Sequence, residues 1–289
     1  MKELDLISTL ETLDEPGRAL RGDDCGELAW TAPSLLASSD MLIDGVHFLS
    51  HIHSPEQIAR KSLGVNVSDI AAMAGTPQAV LLSLALNRDD PPGFAEAFLK
   101  SFSKFCSEAQ IVLLGGDTNF TSSKTVISVT ILGTPHPSGS IRRSGARVGD
   151  LIFVSGPLGG SLKSDRHLSP PNRSKLAQSL GGLGGVRSMI DLSDGLATDL
   201  RHILKASKCG AIVYADKIPL HSDALNLESA FIDGEDYELL FTACPTFQCQ
   251  ISNLNCVEIG IITPQENSFL LSNPDGTTKE CTLKGFEHG

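Results

Sequence analysis

The sequence predicts a two-domain protein of α/β or α+β class. The chain has 289 residues, enough for two medium domains, each with its own core. Helical and strand-like patterns alternate on both sides of a stretch from Pro135 to Gly149 that is rich in Gly, Ser, Pro and Arg. That stretch reads as a linker or a functional loop, and no short repeat relates the two sides. The expected boundaries are 1–135 for an N-terminal domain and 148–289 for a C-terminal domain.

Residues 34–49 read as a strand with a polar break at Ser38, Ser39 and Asp40. Ser54-Pro55 is a helix start, with Ser as N-cap and Pro at the first helical position. The helix PEQIARKSLGVNVSDIAAMAG follows and ends near Gly75, with Asn66 and Asp69 on one face. AVLLSLAL is a continuous apolar run and reads as a buried strand. Pro91-Pro92 open a helix through Ala109 whose Phe94, Phe98, Phe102 and Phe105 recur at helical spacing, a core stripe. IVLL and TVISVTILG are strands flanking GGDT, and LIFVSG starts the second half. Residues 160–186 look loose, with a Pro pair and GGLGG. MIDLSDGLATDLRHILKAS is strand, acidic turn and helix; AIVYAD, YELLFTA, VEIGIIT and SFLLS are later strands.

Composition excludes several classes of function. Hydrophobic residues are 41% and charged residues 20%, as in a soluble globular chain. Lys plus Arg number 23 against 34 Asp plus Glu, a formal charge of −11, which argues against nucleic acid or an anionic membrane as partner. No apolar run approaches the ~20 residues of a membrane span. The start, MKELDLISTLETLDEPG, is amphipathic and acidic, unlike a signal or transit peptide. Seven cysteines without a CxxC pair read as reduced thiols, so the expected compartment is the cytoplasm. Cys244, Cys249 and Cys256 lack zinc-finger spacing and a histidine partner.

The chemistry lies in aspartates that sit where apolar runs break into small residues. They are Asp23 and Asp24 in GDDCG, Asp40 in SSDMLIDGVHF, Asp69 in NVSDIAAMAG, Asp117 in LLGGDT, and Asp191 and Asp194 in MIDLSDG. A lone Asp beside Gly is a turn residue. Five such clusters, nearly free of Lys, Arg or His, repel one another if the fold gathers them, and so require cations. Hard oxygen ligands on small-residue loops suit Mg²⁺ and point to metal-assisted phosphoryl chemistry. No GxxxxGK[ST] and no protein-kinase signature is present, and GGDT and GLGG are the only Gly-rich phosphate candidates.

Taken together, GDDCG, SSDMLIDGVHF, NVSDIAAMAG, GGDT, RSGARVGD, MIDLSDGLATDL and GEDYELLFT resemble, in order and approximate spacing, the thiamine-monophosphate kinases. These belong to the superfamily of aminoimidazole ribonucleotide synthetase-like ATP-binding proteins. The resemblance runs from Gly22 to the final GFEHG. It implies the two-domain fold of that superfamily, combining α/β and α+β, with ATP and metals in the cleft between domains and a homodimer formed through the N-terminal sheet. It implies ATP-dependent phosphorylation of thiamine monophosphate to thiamine diphosphate, with several Mg²⁺ ions.

Carried over residue by residue, the matching metal ligands are Asp23, Ser38, Ser39, Asp40, Asp69, Asp117, Asp191 and Asp194. Gly116, Asp117, Arg143 and Ser193 match ATP contacts. Arg142 adjoins Arg143, which fits the motif better. His47, Glu235, Asp236 and Phe286 lie in motifs that contact the thiamine phosphate, although His47 also suits a half-buried strand and Phe286 a packed aromatic. Leu99 occupies a helix position where relatives often carry Tyr near the adenine, and is counted among the ATP contacts. GGDT is followed by Asn119-Phe120-Thr121 where Thr-Arg-Gly is common. Competing readings are another synthetase of the superfamily, a selenophosphate synthetase or hydrogenase-maturation enzyme, and a non-catalytic thiamine-phosphate binder.

Overall fold

The computed structural model describes residues 28–248 and 256–285. They divide into two compact units, one ending at Pro135 and one running on from His136, except that Ala71–Gly75 groups with the second unit.

In the first unit β1 (Leu36–Ile43), α1 (Pro55–Ala72), β2 (Thr76–Asn87), α2 (Phe94–Glu108), β3 (Val112–Thr121) and β4 (Val126–Thr134) form one sheet with helices. The strand order is β1-β4-β2-β3; β4 is antiparallel to both neighbours and β2 is parallel to β3. The helix start is a reciprocal cap: Gln57 N donates to Ser54 Oγ (3.2 Å) and Ser54 N to Gln57 Oε1 (2.8 Å). The phenylalanine stripe of α2 is core, with Phe94, Phe98 and Phe102 stacked in succession. Each fully buried Phe contributes roughly 1.5–3 kcal/mol.

Three local expectations change. Ser38–Asp40 are not a break in the strand but pair in register with Ile131, Thr130 and Val129 of β4, because backbone pairing is indifferent to polar side chains. AVLLSLAL alternates rather than being buried throughout: Val80, Leu82, Leu84 and Leu86 enter the core, whereas on the other face Leu81 and Ser83 are exposed and only Ala79, at the strand's start, is buried, against Leu114. GGDT lies inside β3 rather than in a loop, past a register shift that sets Gly115 beside Leu81. A side chain on Gly116 would collide with the Leu82 carbonyl, so its glycine permits the close approach of β3 to β2.

The second unit contains β5 (Leu151–Val154), α3 (Ser174–Leu183), β6 (Val186–Asp191), α4 (Leu196–Ser207), β7 (Gly210–Tyr214), α5 (Leu227–Ile232), β8 (Leu239–Ala243), β9 (Val257–Thr263), β10 (Phe269–Ser272) and β11 (Thr278–Glu280). They build a seven-stranded mixed sheet ordered β11-β10-β7-β9-β5-β8-β6. Residues 160–186 are more ordered than their Gly and Pro content implies, since α3 buries Leu176, Ala177 and Leu180 against Phe153, Met189 and Phe241.

Candidate active site

In the first unit the predicted residues divide between the two faces of the sheet. Ser38 and Asp40 alternate with Ser39 along β1, and Ser38 and Asp40 share the side of core residue Leu42. There the Ser38 hydroxyl donates a hydrogen bond to the Asp69 carboxylate on α1. One turn earlier on α1, Asn66 is buried with its Nδ2 donating to Ser62 O (3.0 Å), while its Oδ1 has no hydrogen-bond partner among the described residues. Ser39 is on the opposite face, its hydroxyl 2.9 Å from that of Thr130, so the structure does not bring it to Ser38 and Asp69. Asp117 is also on the outer face, in register with Ser83, and accepts from Asn119 Nδ2 (3.0 Å). The Asn119 that replaces the common Thr thus acts on Asp117 itself.

His47 is half-buried in the turn after β1. Its Nδ1 accepts from Ile43 N (3.0 Å), which assigns the ring proton of the neutral form to Nε2, and Lys61 holds its backbone oxygen (2.8 Å). Asp23 and Phe286 lie outside the described residues. Leu99 is a correction: it is 1% exposed inside the core of this unit, with no surface to offer a nucleotide.

In the second unit β6 ends at buried Asp191, and Ser193, Asp194 and Gly195 turn the chain into α4. This turn carries two residues the motif reading missed. Asp199, 1% exposed, reaches back so that Oδ2 accepts from the N–H groups of Asp194 and Gly195, each at 3.1 Å. Burial, then the charges of Asp191 and Asp194, push its carboxyl up to about 8. His202, three residues on, completes a group with Asp194 and Asp199 whose donor atoms lie within 4.8 Å of one another. Burial and then the positive charge of Arg143 lower the His202 pKa, so Arg143 is within electrostatic reach of this group. Ser207 fixes the arginine loop, accepting from Gly145 N and Ala146 N (3.1 and 3.2 Å) and donating to Arg143 O (3.2 Å). An Asp in the first turn of a predicted helix, followed three residues later by His, was the available signal for both missed groups.

GEDYE runs beside the same turn. Glu235 N donates to Ser193 O (2.7 Å), and its own oxygen accepts from Ser161 Oγ (2.6 Å). Asp236 is a second correction: at 1% exposure it accepts from Gly159 N (2.8 Å) and pairs with Arg166 (2.9 Å), so it is committed inside the unit instead of facing a substrate. At the end of the described chain Gly285 N donates to Thr198 Oγ1 (3.0 Å), next to the Asp194 turn.

The chain is similar to known proteins in both units. The model of the AIR synthase related protein N-terminal domain matches residues 22–134, and that of the C-terminal domain matches 159–271. The thiamine-monophosphate kinase of Haemophilus influenzae is 34% identical over 100% of this chain and 98% of its own length. That of Bacillus subtilis is 30% identical over 86% of each. Among solved structures, AaThiL complexed with AMPPCP and TMP is 30% identical with a TM-score of 0.79, covering 99% of this chain and 96% of that one. A hydrogenase maturation protein HypE, 18% identical with a TM-score of 0.80 over 100% of this chain and 99% of its own, shares the fold. The chain therefore belongs to the thiamine-monophosphate kinase family of AIR synthase related proteins.

Proposed function

We propose that this chain transfers the γ-phosphoryl group of ATP to the phosphate of thiamine monophosphate, forming thiamine diphosphate for thiamine cofactor biosynthesis. The observation that carries the reading is the near full-length likeness to AaThiL complexed with AMPPCP and TMP.

An oxygen of the acceptor phosphate attacks the γ-phosphorus of ATP; as that P–O bond forms, the bond to the β–γ bridging oxygen breaks and ADP leaves with the electron pair. The acceptor is already ionised, so no strong general base and no covalent nucleophile are needed. The obstacle is the approach of two polyanions. Mg²⁺ fits the donors present: they are mainly hard oxygens, Asn66 Oδ1 is buried without a partner among the described residues, and Asp199, its carboxyl pushed up by burial and then by the charges of Asp191 and Asp194, stands beside those two carboxylates. In this reading Ser38, Asp40, Asp69 and Asn66 would hold Mg²⁺ in the first unit and Asp191 and Asp194 in the second, with Asp23 as a further ligand, while Asp117, on the outer face of the sheet, would hold a separate ion. Bound Mg²⁺ supplies the charge neutralisation that lets the two phosphates approach. Arg143 adds a fixed cation, Gly116 and Ser193 contact ATP, and His47, Glu235 and Phe286 contact the thiamine phosphate.

A homodimer belongs to the same proposal. The outer face of the first unit's sheet exposes Met41 by 56% and Leu81 by 39%, apolar surface that a second copy would cover. Light scattering tests this: wild type measures as a dimer and Met41→Glu as a monomer. We also assign the enzyme to the cytoplasm, where ATP is at hand; no described helix is long and apolar enough to cross a membrane. The deciding assay mixes purified protein, Mg-ATP and thiamine monophosphate and follows thiamine diphosphate. No product would reject the kinase reading.

A further inference from the structure

We propose that Arg166 and Arg173 are positioning residues for the Ser193–Asp194 turn, acting through the two buried carboxylates of GEDYE. The inference rests on the reading that this turn holds Mg²⁺. Three backbone hydrogen bonds tie the turn to GEDYE: Leu192 N to Glu238 O (2.8 Å), Tyr237 N to Leu192 O (2.8 Å) and Glu235 N to Ser193 O (2.7 Å). Making them requires left-handed backbone at two non-glycine residues, Glu235 (φ 54°) and Tyr237 (φ 51°). Side chains disfavour that conformation, so the segment needs an external hold to keep it.

The hold comes from residues 166–173. Arg166 NH2 donates to Asp236 Oδ1 (2.9 Å) and to Gly159 O (2.8 Å). Arg173 grips Glu238 with two nitrogens, Nε to Oε2 at 2.7 Å and NH2 to Oε1. Asp236 lies between the two left-handed residues and Glu238 directly follows them, so the strained stretch is pinned at its middle and at its C-terminal end. Glu238 is 4% exposed and also accepts from Ser155 Oγ. A side chain on Gly156 would run into the Glu238 carboxylate, so the backbone here makes room for the pair. Arg166 keeps its Nε buried without a partner among the described residues. Buried ion pairs are weak sources of stability and are better suited to specifying one geometry. Neither arginine is assigned a contact with ATP or thiamine phosphate.

The test compares wild type with Arg173→Gln/Glu238→Gln, which removes both charges and leaves none buried alone, and with Arg173→Lys, which keeps the charge but not the fork. Mn²⁺, read by electron paramagnetic resonance without substrate, probes the metal site independently of turnover. If wild type binds Mn²⁺ but makes no thiamine diphosphate, the kinase reading fails and the Mn²⁺ comparison still decides this proposal. The paired variant is expected to melt near wild type, to bind Mn²⁺ about 10-fold more weakly or worse, and to lose kcat by a similar factor with little change in KM for ATP. Arg173→Lys should fall between the two. A folded paired variant with wild-type Mn²⁺ affinity and kcat overturns the proposal. So does a paired variant that fails to fold, because the network would then serve stability alone.

Discussion

The hydroxyl of Ser38 on β1 donates a hydrogen bond to the carboxylate of Asp69 on α1. This bond ties the strand to the helix that follows it and sets an acidic group at their junction. It makes the two residues a unit with separable functions: Asp69 supplies charge, Ser38 supplies orientation.

Asp69→Asn therefore removes a charge and little else. Asn is nearly isosteric and still accepts the Ser38 hydrogen bond. We expect turnover to fall by at least ~10²-fold, the scale seen when a charge-stabilising group is lost from a phosphoryl or acyl transfer site, with the melting temperature within a few degrees of wild type. Asp194→Asn should behave alike. Steady-state rates at limiting Mg²⁺ and thermal melts provide the check; near-normal activity in both variants would sink the cation role.

Asp199 should separate hydrogen bonding from charge. Its Oδ2 accepts two N–H groups at the start of α4. Asp199→Ala leaves both without that acceptor and is expected to cost about 1–3 kcal/mol. Asp199→Asn retains an acceptor oxygen and should recover most of that stability. Urea unfolding of the two variants decides: equal losses would mean that the two backbone bonds contribute nothing.

Leu99 carries a different prediction once its burial is known. A Tyr there does not gain a stacking surface; it overfills a packed core and strands a hydroxyl. Leu99→Tyr is expected to destabilise by about 1–3 kcal/mol and to leave KM for ATP unchanged in the folded fraction. A tighter ATP KM would contradict the burial of this position.

What the sequence made legible follows from range. Acidic motifs next to strand ends gave the strand–turn–helix at Asp191–Asp194, because strand, turn and helix start are all local. The capping of α1 by Ser54 was local too. Facing was not: the side of β1 that carries Ser39, and the side of β3 that carries Asp117, depend on partners about ninety and thirty-five residues away and on one register shift. Asp236 was misjudged for the same reason. Its place in an acidic motif suggested a ligand, whereas its arginine lies 70 residues earlier in a stretch whose Pro and Gly content hid a helix.

The most exposed prediction concerns the acceptor. In the proposed reading an anionic substrate meets these carboxylates only through bridging cations, with Arg143 as a fixed cation. Thiamine monophosphate offers phosphate oxygens to both; thiamine offers a hydroxyl. The free alcohol would also have to lose a proton during attack, which the already ionised phosphate acceptor does not require. We expect thiamine diphosphate to form from thiamine monophosphate with a requirement for Mg²⁺ beyond that complexed to ATP, and thiamine to be phosphorylated at least ~10²-fold more slowly, the scale of a lost general base. Running both acceptors across a Mg²⁺ titration at fixed ATP provides the measurement. Comparable rates with thiamine would remove the electrostatic basis for acceptor choice. Saturation at one Mg²⁺ per ATP would remove the protein-held cations, even with the product unchanged.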